Sequence, residues 1–324
     1  MIVEFSPFFS VLIPVYNQKG KMDGCIASLK NQSFQDFEVI FVDDGSTDGS
    51  SDMLNEYCTD NPGFSMIRLE KNSSLIATRI AAMKQAAGKY IFLLDSDDEI
   101  EPYAFKDLFD SLSASPVDVL CFGVRREPSG QILMPARADD LTSAVLKGII
   151  PPAAWKNCYS ASAVQKALSR VEPFYCNMGE DTFFSVVLFT CAESFGYLDE
   201  ALYIYYAGGM SSTSGTVNTG KIEKSLESVK ASGKKITEYV RKYAPEYLAL
   251  AEKASVRLIK YILSQNIYYE TDWCTVYDVL KIFNKDEYRD IFFWGCCEIL
   301  KAKVLRKEGK KISVSYDLDF IEEN

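Results

Sequence analysis

Histidine is absent from all 324 residues. That excludes Ser-His-Asp and Cys-His catalysis, histidine-ligated zinc and imidazole acid/base chemistry. Any proton transfer must fall to carboxylates, Lys, Tyr or Cys. Cysteine occurs nine times, an odd number, without a Cys-x-x-Cys spacing, and the adjacent Cys296 and Cys297 cannot frame a zinc site alone. These are read as reduced, mostly buried thiols of a cytoplasmic protein. Positive charge is scarce: 35 Lys and Arg against 45 Asp and Glu give a net charge of −10. Such a chain is a poor general binder of nucleic acid. No apolar run reaches the ~18 residues of a spanning helix. Met1 to Pro7 lacks the basic-then-apolar order of a signal peptide. Internal repeats and low-complexity tracts are missing too.

What the chain does have is organised around Tyr90-Ile91-Phe92-Leu93-Leu94-Asp95-Ser96-Asp97-Asp98. An apolar run of strand length after Gly88 reads as a strand buried on both faces. Its C-terminal end is where a crevice forms in an open α/β sheet. Three carboxylates in four positions repel one another there unless a cation sits among them. Oxygen-only ligands of this kind suit Mg²⁺ or Mn²⁺ shared with a substrate phosphate. A helix N-terminus is the competing reading, since Asp and Ser favour caps and first turns.

Upstream, Ser10 to Tyr16 forms a first strand, expected to end at Pro14. Met22 to Gln32 has helical spacing. Phe37 to Val42 is a second strand, running into Asp43-Asp44-Gly45-Ser46-Thr47-Asp48 and then a helix that Asn61-Pro62-Gly63 stops. Ser65 to Leu69 is a short strand, and Leu75 to Ala87 a helix closed by Gly88. The order β-α-β-α-β-α-β predicts an α/β fold: a mostly parallel sheet with helices on both faces. Parallel order puts the acidic ends of the second and fourth strands on one edge.

Further along, Val117 to Phe122 and Tyr197 to Tyr206 read as strands, with an apolar helix from Phe183 to Cys191 opened by Gly179-Glu180-Asp181. From Lys221 onward, four stretches have the spacing of amphipathic helices: Lys221 to Tyr243, Glu246 to Tyr268, Val276 to Phe283 and Tyr288 to Lys307. The expected division is a main domain over 1–220 and a helical C-terminal region over 221–324. Ile291-Phe292-Phe293-Trp294, followed by Lys301, Lys303, Arg306, Lys307, Lys310 and Lys311, is either a core helix with a solvated tail or a peripheral contact with an anionic membrane face.

Taken together, Ile13-Pro14-Val15-Tyr16-Asn17, Val42-Asp43-Asp44-Gly45-Ser46-Thr47-Asp48, Leu94-Asp95-Ser96-Asp97-Asp98 and Gly179-Glu180-Asp181 resemble the family 2 inverting glycosyltransferases of bacterial type. These share the GT-A, nucleotide-diphospho-sugar transferase fold. The resemblance covers roughly residues 8 to 215 and leaves the helical tail outside. It implies that Pro14, Val15 and Tyr16 line the nucleotide base and that Asp44 bonds uracil or ribose, with Asp43 supporting its loop. Asp95 and Asp97 become the Asp-x-Asp pair on ribose and metal, with Ser96 between them on the donor side and Asp98 as a further ligand. Asp181 becomes the general base beside Glu180. Arg79 would face the nucleotide side and Trp155 the acceptor side; surface salt-bridge and core roles are their respective alternatives. The implied cofactor is Mn²⁺ or Mg²⁺. The implied partners are a nucleotide-sugar donor, a UDP-sugar by family habit, and a glycan or lipid-linked acceptor.

The chain departs from the family where relatives carry a cation near the donor phosphates: Tyr205-Tyr206-Ala207-Gly208-Gly209-Met210-Ser211 has none, and the family's Arg-Asn pair reads Arg79-Ile80. Two other classes compete. A nucleotidyltransferase would need a Gly-rich basic loop near the N-terminus, where only Asn17-Gln18-Lys19-Gly20-Lys21 stands. A non-catalytic nucleotide-sugar binder would be expected to have lost the aspartates.

Overall fold

The computed structural model describes residues 6–206, 219–269, 282 and 289–307. The Val276 to Phe283 stretch apart from Ile282, and the cation-poor stretch after Tyr206, fall outside these residues. The chain divides into two compact units. One comprises Met1–Asp139, Ala153–Tyr175 and Phe184–Ser211; the other comprises Asp140–Pro152, Cys176–Phe183 and Ser212–Asn324. The helical unit thus takes in two segments from before residue 220 in addition to the C-terminal helices.

The first unit is built on a nine-stranded sheet. Its strands are β1 (Phe9–Val15), β2 (Phe37–Asp43), β3 (Phe64–Arg68), β4 (Tyr90–Leu93), β5 (Glu99–Ile100), β6 (Val119–Glu127), β7 (Gln131–Leu133), β8 (Asn157–Ser160) and β9 (Phe195–Tyr206). The order is β3-β2-β1-β4-β8-β6-β9-β5, with β7 paired to β6. β3, β2, β1 and β4 are mutually parallel, as the alternating strand and helix pattern requires. β8, β5 and β7 run against the others. Helices α1 (Asp23–Lys30), α2 (Ser50–Asp60), α3 (Leu75–Gln85) and α4 (Ala104–Ala114) follow β1, β2, β3 and β5. β1 and β4 are apolar and buried along nearly their whole length, as strands covered on both faces must be. Phe9, Phe37 and Phe92 close against Phe105 of α4, with ring centroids 4.9–5.4 Å apart.

Pro14 does not end β1. The β1–β4 ladder stops at Leu12 with Leu93, while β1–β2 pairing continues through Pro14 with Val42 and Val15 with Asp43. Beyond Leu12 the strand is paired on one side only, so the missing N–H interrupts no ladder toward β4. β8 is four residues long with one apolar aliphatic or aromatic side chain among polar neighbours, too short for periodicity to reveal.

The second unit holds α5 (Leu141–Lys147), the first turn of α7 (Glu180–Cys191), α8 (Thr219–Tyr243), α9 (Leu248–Tyr269) and α10 (Arg289–Lys307); α6 (Ala161–Leu168) belongs to the first unit. α8 and α9 approach closely at Gly233, where an added Cβ would lie 2.8 Å from Ser255 Cβ. Ile291 is buried at 6% exposure, and the Lys260 ammonium lies 5.2 Å from the Trp294 ring centre. The aromatic start of α10 therefore contributes to the packing of this unit. No helix among the described residues is long and apolar enough to cross a membrane.

Candidate active site

Parallel register sets the C-terminal ends of β2 and β4 on either side of β1, at one edge of the sheet. The loops leaving that edge are tied to one another. The N–H groups of Asn17, Gln18 and Lys19 donate to Ser46 Oγ, Ser50 Oγ and Asp48 Oδ2 at 2.9, 2.9 and 3.0 Å, and Thr47 N–H returns a bond to Asn17 Oδ1 at 2.9 Å. Pro14 and Val15 lie within this corner and Tyr16 points outward at 45% exposure.

Asp43 and Asp44 are buried and engaged by the protein. Asp43 Oδ1 accepts from Ser46 N–H at 3.0 Å, its Oδ2 accepts from the Ser51 hydroxyl, and the Arg68 guanidinium stands 3.6 Å away. Asp44 accepts the N–H groups of Ser73 and Ser74 at 2.6 and 3.1 Å, one on each oxygen. Burial pushes its carboxyl up, against the pull of those two N–H groups, and Asp43 adds to the rise. Asp44 is thus a clamp on the 71–74 loop, where the resemblance had it reaching for uracil or ribose. Gly45 makes the same contact possible: at φ +73, a Cβ there would meet the Lys71 carbonyl carbon at 2.8 Å.

At the tip of β4 the side chains alternate. Asp95 and Asp97 are half-exposed; Ser96, Asp98 and Ile100 are buried. Asp98, at 2% exposure, accepts from Tyr203 Oη at 2.8 Å and from Tyr206 N–H at 2.9 Å, one on each oxygen. Tyr203 Oη in turn accepts the Asp95 N–H at 3.1 Å. Burial, helped by the charge of Asp95, pushes the Asp98 carboxyl up to about 8, although Tyr206 N–H and Tyr203 Oη pull it back. Asp98 is an internal tie between the β4 tip and β9, which places it apart from the outward pair with which it was grouped as a ligand. Ser96, expected on the donor side, is turned inward as well. Sequence reasoning missed Tyr203; its signal was the Tyr203, Tyr205 alternation on β9.

Arg79, on α3, was expected to face the crevice. It is 2% exposed, its Nη2 lies 3.2 Å from Asp95 Oδ1, and its guanidinium stands 5.8 Å from the Phe184 ring centre. It backs Asp95 from inside. Trp155 is half-buried, stacked on Tyr205 at 5.4 Å and 10° and tilted against Tyr203 at 4.6 Å. Arg126 lies 5.9 Å from the Tyr205 ring centre. Glu180 and Asp181, half-buried, stand in the first turn of α7 and belong to the helical unit. The structure therefore gathers Pro14 to Tyr16, Asp43, Asp44, Arg79, Asp95 to Asp98 and Trp155 in the sheet unit, and carries the Glu180–Asp181 pair on the other.

Among the described residues no three His, Cys, Asp or Glu side chains form a closed metal cage. The outward pair, Asp95 and Asp97, supplies oxygen donors only. That set fits a Mg²⁺ or Mn²⁺ ion that completes its shell with substrate phosphates and water. A separate hollow of about 370 Å³ opens at the opposite end of β4, lined in part by Lys89, Tyr90, Asp118, Ser160 and Ser194.

Comparison with known proteins agrees with this geometry. Residues 10–157 match the family model described as Glycosyl transferase family 2. EpsH of Bacillus subtilis is 30% identical over 210 residues, which is 62% of this chain and 61% of that protein. The uncharacterized glycosyltransferase EpsJ of the same organism is 26% identical over 212 residues, again 61% of each chain. The chain thus spans about 61% of the length of these curated relatives. Among solved structures, S. aureus TarS 1-349 in complex with UDP-GlcNAc superposes with a TM-score of 0.58 at 18% identity, covering 98% of this chain and 97% of that one. The mannosyltransferase PcManGT from Pyrobaculum calidifontis, in complex with GDP-Man and Mn²⁺, gives 0.52 at 12% identity, covering 93% and 87%. Over residues 10–157 the chain matches Glycosyl transferase family 2, and its fold is of the GT-A type.

Proposed function

We propose that this protein is a metal-dependent inverting glycosyltransferase that moves a sugar from a nucleotide-diphospho-sugar, a UDP-sugar, to a hydroxyl of a saccharide or lipid-linked glycan. The observation that carries this reading is the outward pair Asp95 and Asp97 at the sheet edge, on either side of the buried Ser96 and braced by the Asp98–Tyr203 tie. The corner of Pro14, Val15 and Tyr16 receives the nucleotide base. Asp43 and Asp44 act beneath it by holding the 44–51 and 71–74 loops in place.

Asp95, backed by Arg79, and Asp97 would hold the divalent cation. When bound, the cation neutralises the negative charge that develops on the β-phosphate as the nucleoside diphosphate leaves. In this reading Trp155 and Glu180 serve the acceptor. Asp181 takes the proton of the attacking hydroxyl. The new bond forms between acceptor oxygen and anomeric carbon as the bond from that carbon to the phosphate oxygen breaks; the leaving group keeps the electron pair. A single displacement inverts the anomeric carbon. A general base of this kind contributes about 10²–10⁴-fold.

The test is a thermal-shift and product-release screen of UDP-glucose, UDP-galactose and their N-acetyl forms with and without Mn²⁺. A donor at 100 times its Kd stabilises by about 2.7 kcal/mol. Asp97→Asn should abolish the Mn²⁺-dependent part of that shift. No stabilisation and no UDP release with any of the four would overturn the reading.

A further inference from the structure

The helical unit holds the segment that delivers Asp181, and it does so through two serines. Ser228 and Ser232 stand one turn apart on α8, Ser228 half-buried and Ser232 buried, at the flank of the apolar face that carries the buried Ile222, Leu226, Val229 and Ile236. A hydroxyl on an apolar helix face needs a partner, and the usual one is the carbonyl four residues back. Thr237 on the same helix behaves that way, bonding Gly233 O at 2.9 Å. Ser228 and Ser232 instead reach another stretch of chain. Ser228 Oγ accepts the N–H groups of Asn177 and Met178 at 2.8 and 3.2 Å. Ser232 Oγ, fully buried, donates to Gly179 O at 2.6 Å.

The clasped turn has little freedom. Gly179 sits at φ +85, and a Cβ there would come within 3.2 Å of Ser232 Cβ and Oγ. Only a residue without a side chain lets the chain lie this close to α8 in that conformation. The Gly179 carbonyl then accepts the N–H of Phe183 at 3.2 Å, which opens α7. Asp181 follows two residues after the clasp. α8 is itself braced on α9 where Ser255 Oγ bonds Gly233 O at 3.0 Å.

We propose that Ser228 and Ser232 are positioning residues that fix the turn presenting Asp181, so that the C-terminal helices form part of the catalytic apparatus. This rests on the reading of Asp181 as the general base. The N–H groups of Asn177 and Met178 are aligned by one oxygen and the Gly179 carbonyl by another, which sets both the start and the direction of the helix that bears the carboxylate.

Two readouts test it in the full-length protein. Amide exchange of Asn177 and Met178 should be slow in the native protein and accelerate by at least about tenfold in Ser228→Ala. UDP release from the UDP-sugar that the wild type hydrolyses should show kcat falling about tenfold or more in Ser228→Ala and in Ser228→Ala/Ser232→Ala, within the ~10²–10⁴ that a base supplies, at a donor KM changed less than about twofold. Ser228→Thr, which keeps the oxygen, should restore kcat. Should the double variant fail to fold, the single Ser228→Ala decides. Native amides that exchange as fast as an open loop overturn the proposal, as does a kcat within about twofold of wild type in a folded Ser228→Ala. Asp181→Asn run alongside separates the causes: full activity there removes the base itself, whereas loss there with silent serine variants removes only the clasp.

Discussion

Adding one methyl group at Gly45 should reveal how tightly the candidate donor corner is built. Two costs apply. The backbone stands at φ +73, and a left-handed conformation costs a residue with a Cβ roughly 1–2 kcal/mol. The new Cβ would also lie 2.8 Å from Lys71 C, 2.9 Å from Lys71 Cα and 3.0 Å from Asn72 N, all backbone atoms that no rotamer change moves aside. Overpacking of that kind costs about 1–3 kcal/mol. Gly20 supplies the control: its φ is +71 and nothing lies within 4 Å of its would-be Cβ. Gly20→Ala therefore carries the conformational cost alone, and Gly45→Ala carries both. Urea unfolding should give a difference between the two of about 1–3 kcal/mol. In a melt this is about 2–12 °C, at ~2–4 °C per kcal/mol for 150–250 residues. Because Asp44 holds the same loop, Gly45→Ala should also weaken nucleotide-sugar stabilisation while Gly20→Ala preserves it. Equal stability of the two variants, with equal response to donor, would refute the close approach of the two loops.

Asp181→Asn should abolish sugar transfer and leave donor binding nearly intact; turnover within about tenfold of wild type, read by UDP release, would remove the base assignment. Tyr203→Phe strips a buried carboxylate of one donor and the Asp95 N–H of its acceptor. At about 1–3 kcal/mol for each of the two groups left unsatisfied, a loss of about 2–6 kcal/mol in denaturant unfolding is expected, and less than about 1 kcal/mol would contradict the tie. Burial alone would raise the Asp118 carboxyl, but the N–H groups of Glu193 and Ser194 and the hydroxyls of Ser160 and Ser194 outweigh it and hold it below the usual carboxylate range. A depressed carboxyl stabilises the fold above its unfolded value and loses that contribution as pH falls toward its folded one. Asp118→Ala should accordingly flatten the acid limb of a stability profile measured below about pH 4; an unchanged limb would show that the bonds do not form.

The sequence by itself determined the strand and helix order of the first hundred residues, because buried parallel strands are near-continuous apolar runs and the helices between them repeat every three to four residues. It also placed the acidic ends of β2 and β4 on one edge, since parallel order leaves no other arrangement. What only the tertiary structure decided is the direction of each carboxylate there. Four consecutive polar residues, Asp95 to Asp98, look equivalent in a string. The approach of β9, with the Tyr203 hydroxyl and the Tyr206 N–H, draws Asp98 inward and leaves Asp95 and Asp97 facing out. Asp44 faces backbone N–H groups supplied by a loop 29 residues away. Arg79 lies under the site because α3 packs against β1 and β2. The serines that hold the turn before Asp181 are some fifty residues away in sequence. Period and turn chemistry act between neighbours along the chain, whereas burial of a charge depends on whichever distant segment brings the compensating hydrogen bond.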